Sequence, residues 1–265
     1  WTLAVLDPSP MTIFVFDRTL DGLLTAVFDA YSRRSFPDIL QGEGCPLPLF
    51  YDEVHTVITD DSKAGRVWKA LQKKLSPEAL TSLAVSYLSE LSELDIHLFR
   101  YVCKTIDSPA SIECNFADED VLFVVNTFRK VRYERLRMMQ FIRFQKAADG
   151  TYFGIMEPIY NVLPLAIEHF RDRFSDQPFL IYDKRRHYGY YYDGQELTHV
   201  TLDESLPHFV TGKLDEALLD KDEKLFQDLW RTYFKAICIR ERLNPRKQKK
   251  DMPVRYWKYL TEKQG

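Results

Sequence analysis

The 265-residue chain reads as an α+β protein: a mixed α/β N-terminal half, a helix–hairpin–helix–hairpin antiparallel sheet unit in the second half, and C-terminal helices. Three observations predict this. First, the β-branched and aromatic run "TIFVF" at 12–16 precedes a stretch with apolar residues at Leu20, Leu23, Leu24, Val27, Phe28 and Tyr31, the 3.6-residue period of a helix. Second, two Asp-Gly pairs, Asp149-Gly150 and Asp193-Gly194, each lie between strand-forming runs, as a tight hairpin requires. Third, helical and hairpin patterns alternate after residue 118, which favours helices covering one face of a sheet.

Each element has its own reason. "TIFVF" is a buried strand because it carries apolar residues on both faces. Residues 36–52, rich in Pro and Gly, are expected to be a loop. "EVHTVI" follows as a second strand with Val54, Thr56 and Ile58 on one face, then a helix over about 62–74. Ser76-Pro77-Glu78 supplies a capping hydroxyl, a first-turn proline and an acid at the positive end of the dipole. The apolar stripe from Leu80 through Leu91 to Val102 predicts one long helix after it, ending near Asp107-Ser108-Pro109. Asp118-Glu119-Asp120 starts another helix, "MQFIRFQKAADGTYFGIM" a hairpin, and residues 162–174 a further helix. "FLIYDKRRHYGYYYDGQELTHV" is a second meander, and Leu225, Phe226, Leu229, Trp230, Tyr233, Phe234 and Ile237 form a broad apolar face on a helix near the C-terminus. The organisation expected is 11–110 as the α/β region and 115–265 as the α+β region, either as two units or integrated in one domain.

Composition narrows the function classes. Four scattered cysteines without a C-x-x-C pair argue against a zinc ribbon, an iron–sulfur cluster or a disulfide framework, and suggest reduced thiols in the cytoplasm. No apolar run approaches the ~18–20 residues needed to span a bilayer. The opening "WTLAVLDPSP" lacks a basic start and is broken by Asp7, Pro8 and Pro10, unlike a secretory signal. Standard catalytic and nucleotide signatures are missing, the six histidines show no ligand spacing, and no cofactor or metal is expected.

Charge is distributed unevenly around a net of −3. Residues 240–258 carry eight Arg/Lys against two acids, and residues 129–146 carry seven against one. Arg129, Arg132 and Arg135 recur every three residues and share one helix face. Lys184, Arg185 and Arg186 are read on a strand flanked by tyrosines, and Arg246, Lys247, Lys249 and Lys250 on an exposed loop. Arg255, Tyr256 and Trp257 follow in "MPVRYWKYL", whose apolar residues should pack back on the domain. Positive charge neutralises phosphates with release of counterions, and aromatic faces stack on exposed bases, so these segments point to DNA. A second, polar cluster comprises Glu157, His169, Arg173 and Asp176, weak candidates for acid–base chemistry or a phosphate grip.

Three blocks also resemble a known family. "FVFDRTLDGLLTAVFDAYSRRSFP", "FIRFQKAADGTYFGIMEPIYNVLPLAIEHFRDRFSDQPFLIYDKRRHYGYYYDG" and "LWRTYFKAICIRERLNPRKQKKDMPVRYWKYL" are similar to the start, centre and end of an uncharacterised family linked to DNA repair and DNA metabolism. The matching positions are Arg143, Glu157-Pro158, His169-Phe170, Arg173-Phe174, Asp176-Gln177-Pro178, Met252-Pro253 and Tyr256-Trp257. Ile159-Tyr160-Asn161 and Leu260-Thr261-Glu262 depart from the pattern, the first where a histidine is common. The resemblance implies a radical-SAM protein as partner, and a similar domain precedes some uracil-DNA glycosylase-like domains. Three functions are therefore in play: a DNA-binding accessory protein without activity of its own, an enzyme acting on damaged DNA around His169, Arg173 and Asp176, or a protein-interaction scaffold.

Overall fold

The structure is a computed structural model and describes residues 11–201, 218–236 and 245–263. The chain is α+β and divides into two compact units, with the division between Lys130 and Val131.

The first unit is built on a three-stranded parallel sheet of order β2-β1-β3, formed by β1 (Thr12–Phe16), β2 (Ile39–Gly42) and β3 (Glu53–Thr56). Central β1 buries Ile13, Phe14 and Phe16 completely, which is why its sequence lacks polar alternation. α1 (Leu20–Arg33) starts at Thr19, whose hydroxyl accepts from Gly22 N at 2.9 Å. β2 lies inside the expected loop 36–52: it has only four residues, but β1 offers it an edge in register Ile13 to Ile39. β3 ends earlier than expected, so Val57 is buried and Ile58 is 80% exposed.

α2 (Asp61–Gln72) follows, and then the expected long helix appears as two, α3 (Pro77–Tyr87) and α4 (Ser92–Asp107). Ser76 does cap α3, accepting from Ala79 N at 3.2 Å. The break comes where α3 tightens into i→i+3 bonds at Leu88, Ser89 and Glu90, and Glu90 takes φ 56°. The apolar stripe continues across the break, so periodicity alone does not reveal it. α5 (Glu119–Phe141) begins at Asp118, whose carboxylate accepts from Asp120 N and Val121 N.

The second unit contains a five-stranded sheet of order β4-β5-β6-β7-β8. Its strands are β4 (Phe144–Lys146), β5 (Tyr152–Met156), β6 (Phe179–Asp183), β7 (Tyr188–Tyr192) and β8 (Leu197–Val200). Both Asp-Gly turns form as expected, with Gly150 at φ 90° and Gly194 at φ 101°, conformations that favour glycine. One pairing differs from an antiparallel unit: β5 and β6 run parallel, because α6 (Leu163–Arg173) carries the chain back along the sheet between them. Gly189 on β7 is required by close approach, since a Cβ there would lie 2.5 Å from the Ile181 carbonyl oxygen.

Two helices, α7 (Glu223–Ala236) and α8 (Pro245–Asp251), precede two 3-10 helices, Val254–Tyr259 and Thr261–Lys263. Tyr256 and Leu260 are fully buried and Tyr259 nearly so, so the aromatic end of the chain packs into the core. Arg246, Lys247, Lys249 and Lys250 stand on helix α8 rather than on a loop, all exposed. Of the apolar face expected on α7, Leu225, Phe226, Leu229 and Trp230 are exposed, and the side chains of Tyr233, Phe234 and Ile237 lie outside the described residues.

Candidate nucleic-acid interface

Lys184, Arg185 and Arg186 occupy the β6–β7 turn, not a strand. Asp183, fully buried at the end of β6, shapes that turn: one carboxylate oxygen accepts from Arg185 N at 2.9 Å and Arg186 N at 3.3 Å. Burial pushes its carboxyl up, against the pull of the Arg186 guanidinium. His187 closes the turn at φ 59°. Arg186 folds inward, donating to Asp183 at 3.0 Å, to Pro158 O at 3.2 Å and to Ile159 O at 2.9 Å, and so clips the β5–α6 junction to the turn. Arg185 points outward and is exposed.

The 3-10 helix Val254–Tyr259 supplies the opposite wall. Arg255 Nη2 donates to Glu134 at 2.5 Å and to the Tyr256 hydroxyl at 3.1 Å. Glu134, on α5 and 2% exposed, also accepts from Ile159 N at 2.8 Å. Lys258 donates to Glu157 at 2.5 Å, and Lys184 lies 3.7 Å from the other Glu157 oxygen. Burial raises the Glu157 carboxyl, but the hydrogen bond from Lys258 and the charges of Lys258 and Lys184 outweigh it, leaving it below the ordinary range.

Between these walls lies a cavity of about 510 Å³ lined by Glu157, Ile159, Arg185, Val254, Arg255 and Lys258. Two basic segments some 70 residues apart in the sequence thus share one pocket. Around it, among the described residues, Lys184, Arg185, Arg186, Arg255 and Lys258 face Glu134, Glu157 and Asp183, and Arg137 lies 4.0 Å from Glu134. On the wall, the Arg185 guanidinium makes no ion pair among the described residues, while Arg255 Nε is buried and has no acceptor among them.

The other expected contacts are placed elsewhere. Arg129 and Arg132 are exposed on α5, while Arg135 turns to donate to Leu165 O at 2.8 Å. Arg143 is committed to Glu262 at 2.6 Å and sits 5.9 Å from the Trp230 ring. It borders a larger cavity, about 700 Å³, whose second cation, Lys146, pairs with Asp220 at 3.3 Å. Both charges there are neutralised, so the smaller pocket suits an anion better. Tyr256, 1% exposed and packed on Phe141, has no free face for a base. Trp257 is half-buried, donates to Met252 O, and has the Lys263 ammonium 4.9 Å from its ring.

The Glu157, His169, Arg173 and Asp176 set is spread along α6. Glu157 precedes this eleven-residue helix and Asp176 follows it, a helix length of about 16 Å at 1.5 Å per residue. His169 packs on Phe170, and Arg173 lies 5.7 Å from the Phe174 ring. Lys258, Glu134 and the tyrosine–histidine cluster on β7 and β8 are not among the site residues expected from the sequence. In that cluster Tyr188 stacks on His199 at 5.2 Å and Tyr190 meets it edge-on at 5.5 Å. The alternation "YGYYY" could have found the last of these.

Among the described residues no group of His, Cys, Asp and Glu is placed to hold a metal, and no helix is long and apolar enough to cross a membrane. Searches of the curated proteins and of the solved structures returned no match. Residues 92–262, from the first residue of α4 through the second unit, match a family described as a domain of unknown function, DUF4130, and the chain belongs to that family.

Proposed function

We propose that the second unit binds the phosphate backbone of DNA and that the protein serves as an accessory factor in DNA repair or DNA metabolism, presenting DNA to a partner enzyme. The observation that carries the reading is the convergence of the β6–β7 turn and the C-terminal 3-10 helix on one pocket lined by Arg185, Arg255 and Lys258. Exposed Arg246, Lys249 and Lys250 on α8 add a second cationic surface, and the Tyr188–Tyr190–His199 cluster offers rings on which bases stack. The radical-SAM partner and the tie to repair come from the family resemblance alone. The spread of Glu157, His169, Arg173 and Asp176 along α6 favours binding over catalysis at those residues.

A salt titration of DNA binding tests the proposal. Log K should fall by about 0.7–0.9 per phosphate contacted for each tenfold rise in salt, and Arg185→Ala should reduce that slope by about one contact. Binding that is absent, or insensitive to salt, overturns it.

A further inference from the structure

The pocket beneath Arg185 has features that an extended backbone site does not need. It is concave, it is bounded on both sides, and about 510 Å³ accommodates a single small ligand. Phosphodiesters within a strand carry one charge each and continue in both directions, so they are best met by an open groove. A terminal phosphomonoester carries about −1.5 to −2 at neutral pH and three acceptor oxygens. Among the described residues that line the pocket, three cations, Arg185, Arg255 and Lys258, stand against one carboxylate, Glu157, which suits that dianion.

We infer that this pocket binds the terminal phosphate of a nucleic-acid strand together with its sugar. Arg185 reaches the phosphate from the turn and Lys258 from the 3-10 helix, with the Arg255 side chain lining the same pocket. Ile159, 37% exposed, and Val254, 54% exposed, line the same cavity and give the sugar an apolar contact. Glu157 is the counter-ion that keeps the Lys258 ammonium aimed across the pocket until phosphate arrives. Arg186 and Asp183 position Arg185 by fixing the turn and touch no ligand. The inference rests on the backbone-binding reading above and names which part of the strand enters the pocket.

The test compares full-length protein binding to four forms of one short single strand: 5′-phosphate, 3′-phosphate, both ends hydroxyl, and circular. A nucleoside 5′-monophosphate serves as competitor. One phosphorylated end should bind about tenfold tighter than the hydroxyl form, the scale of a charge-assisted contact. The monophosphate should erase that difference. Arg185→Ala and, separately, Lys258→Ala should each reduce the ratio toward one. Equal binding of all four forms overturns the inference and leaves backbone binding standing, whereas no binding of any form overturns both. A ratio that survives both substitutions also overturns the assignment to this pocket.

Discussion

Glu134 and Arg255, 121 residues apart, form an ion pair of 2.5 Å in which the carboxylate side chain is only 3% exposed. The pair joins α5 to the 3-10 helix, and the second Glu134 oxygen holds Ile159 N. One buried carboxylate therefore braces two walls of the pocket beneath Arg185. Such pairs are costly to break, because the survivor loses a charge partner that its burial requires.

Replacing Glu134 with Ala should destabilise the second unit by about 3–5 kcal/mol, the range for removing one partner of a buried pair. Chemical denaturation followed by tryptophan fluorescence reads this directly. An unchanged midpoint would mean that the pair contributes nothing to the fold.

Asp95 on α4 has the opposite character. Burial pushes its carboxyl up to about 6 despite Arg18 at 3.6 Å. The unfolded carboxyl titrates at the ordinary 3.8, so the folded form holds its proton longer between these values. Stability is then greatest below about 4, falls as pH rises toward 6, and is level above. Asp95→Asn should remove that decline and stabilise the first unit at pH 7 by about 3 kcal/mol, one pKa unit being about 1.4 kcal/mol. Melting curves at pH 4.5 and pH 7 should show the gain mainly at pH 7.

Glu262 runs the other way. Burial raises it, but hydrogen bonds from Arg143 at 2.6 Å and Trp230 at 3.0 Å prevail and hold it below the ordinary 4.5. Its contribution is complete above pH 4.5 and is lost as pH falls through the lowered folded value. Glu262→Gln should therefore flatten the acid limb of the second unit's stability while lowering its plateau. An acid limb identical to that of the wild type would discount this carboxylate.

Gly189→Ala tests whether the turn depends on the sheet. The added methyl carbon would meet the Ile181 carbonyl oxygen at 2.5 Å, and β6 and β7 would have to separate. A loss of about 1–3 kcal/mol is expected, as for overpacking elsewhere. DNA affinity should fall with it, because the same strands carry the Arg185 turn.

Local chemistry was legible in the sequence wherever a few neighbouring residues decide it. The β1–α1 unit, the Ser76 cap and both Asp-Gly turns follow from short-range sterics and hydrogen bonding. β2 was not legible, since four residues carry little periodicity and are recruited by the waiting edge of β1. The break at Glu90 was hidden by an uninterrupted apolar stripe, and the parallel β5–β6 pair by the fact that pairing partners are not written locally. For the site, the basic segments themselves could be read. Which of them converge could not, because Asp183, Glu134 and Glu157 select them across the fold. Tyr256 shows the limit well: its aromatic character suggested stacking on bases, and its burial spends the ring on the core.

The burial of Tyr256, Tyr259 and Leu260 has a practical consequence for dissecting this protein. Shortening the chain ahead of α8 would remove more than a positively charged appendage. It would extract a plug from the hydrophobic interior, take from Glu134 its 2.5 Å partner, and leave the Arg185 turn facing an empty wall. Point substitutions that neutralise Arg185 or Lys258 can separate recognition from folding, and deletion of the tail cannot.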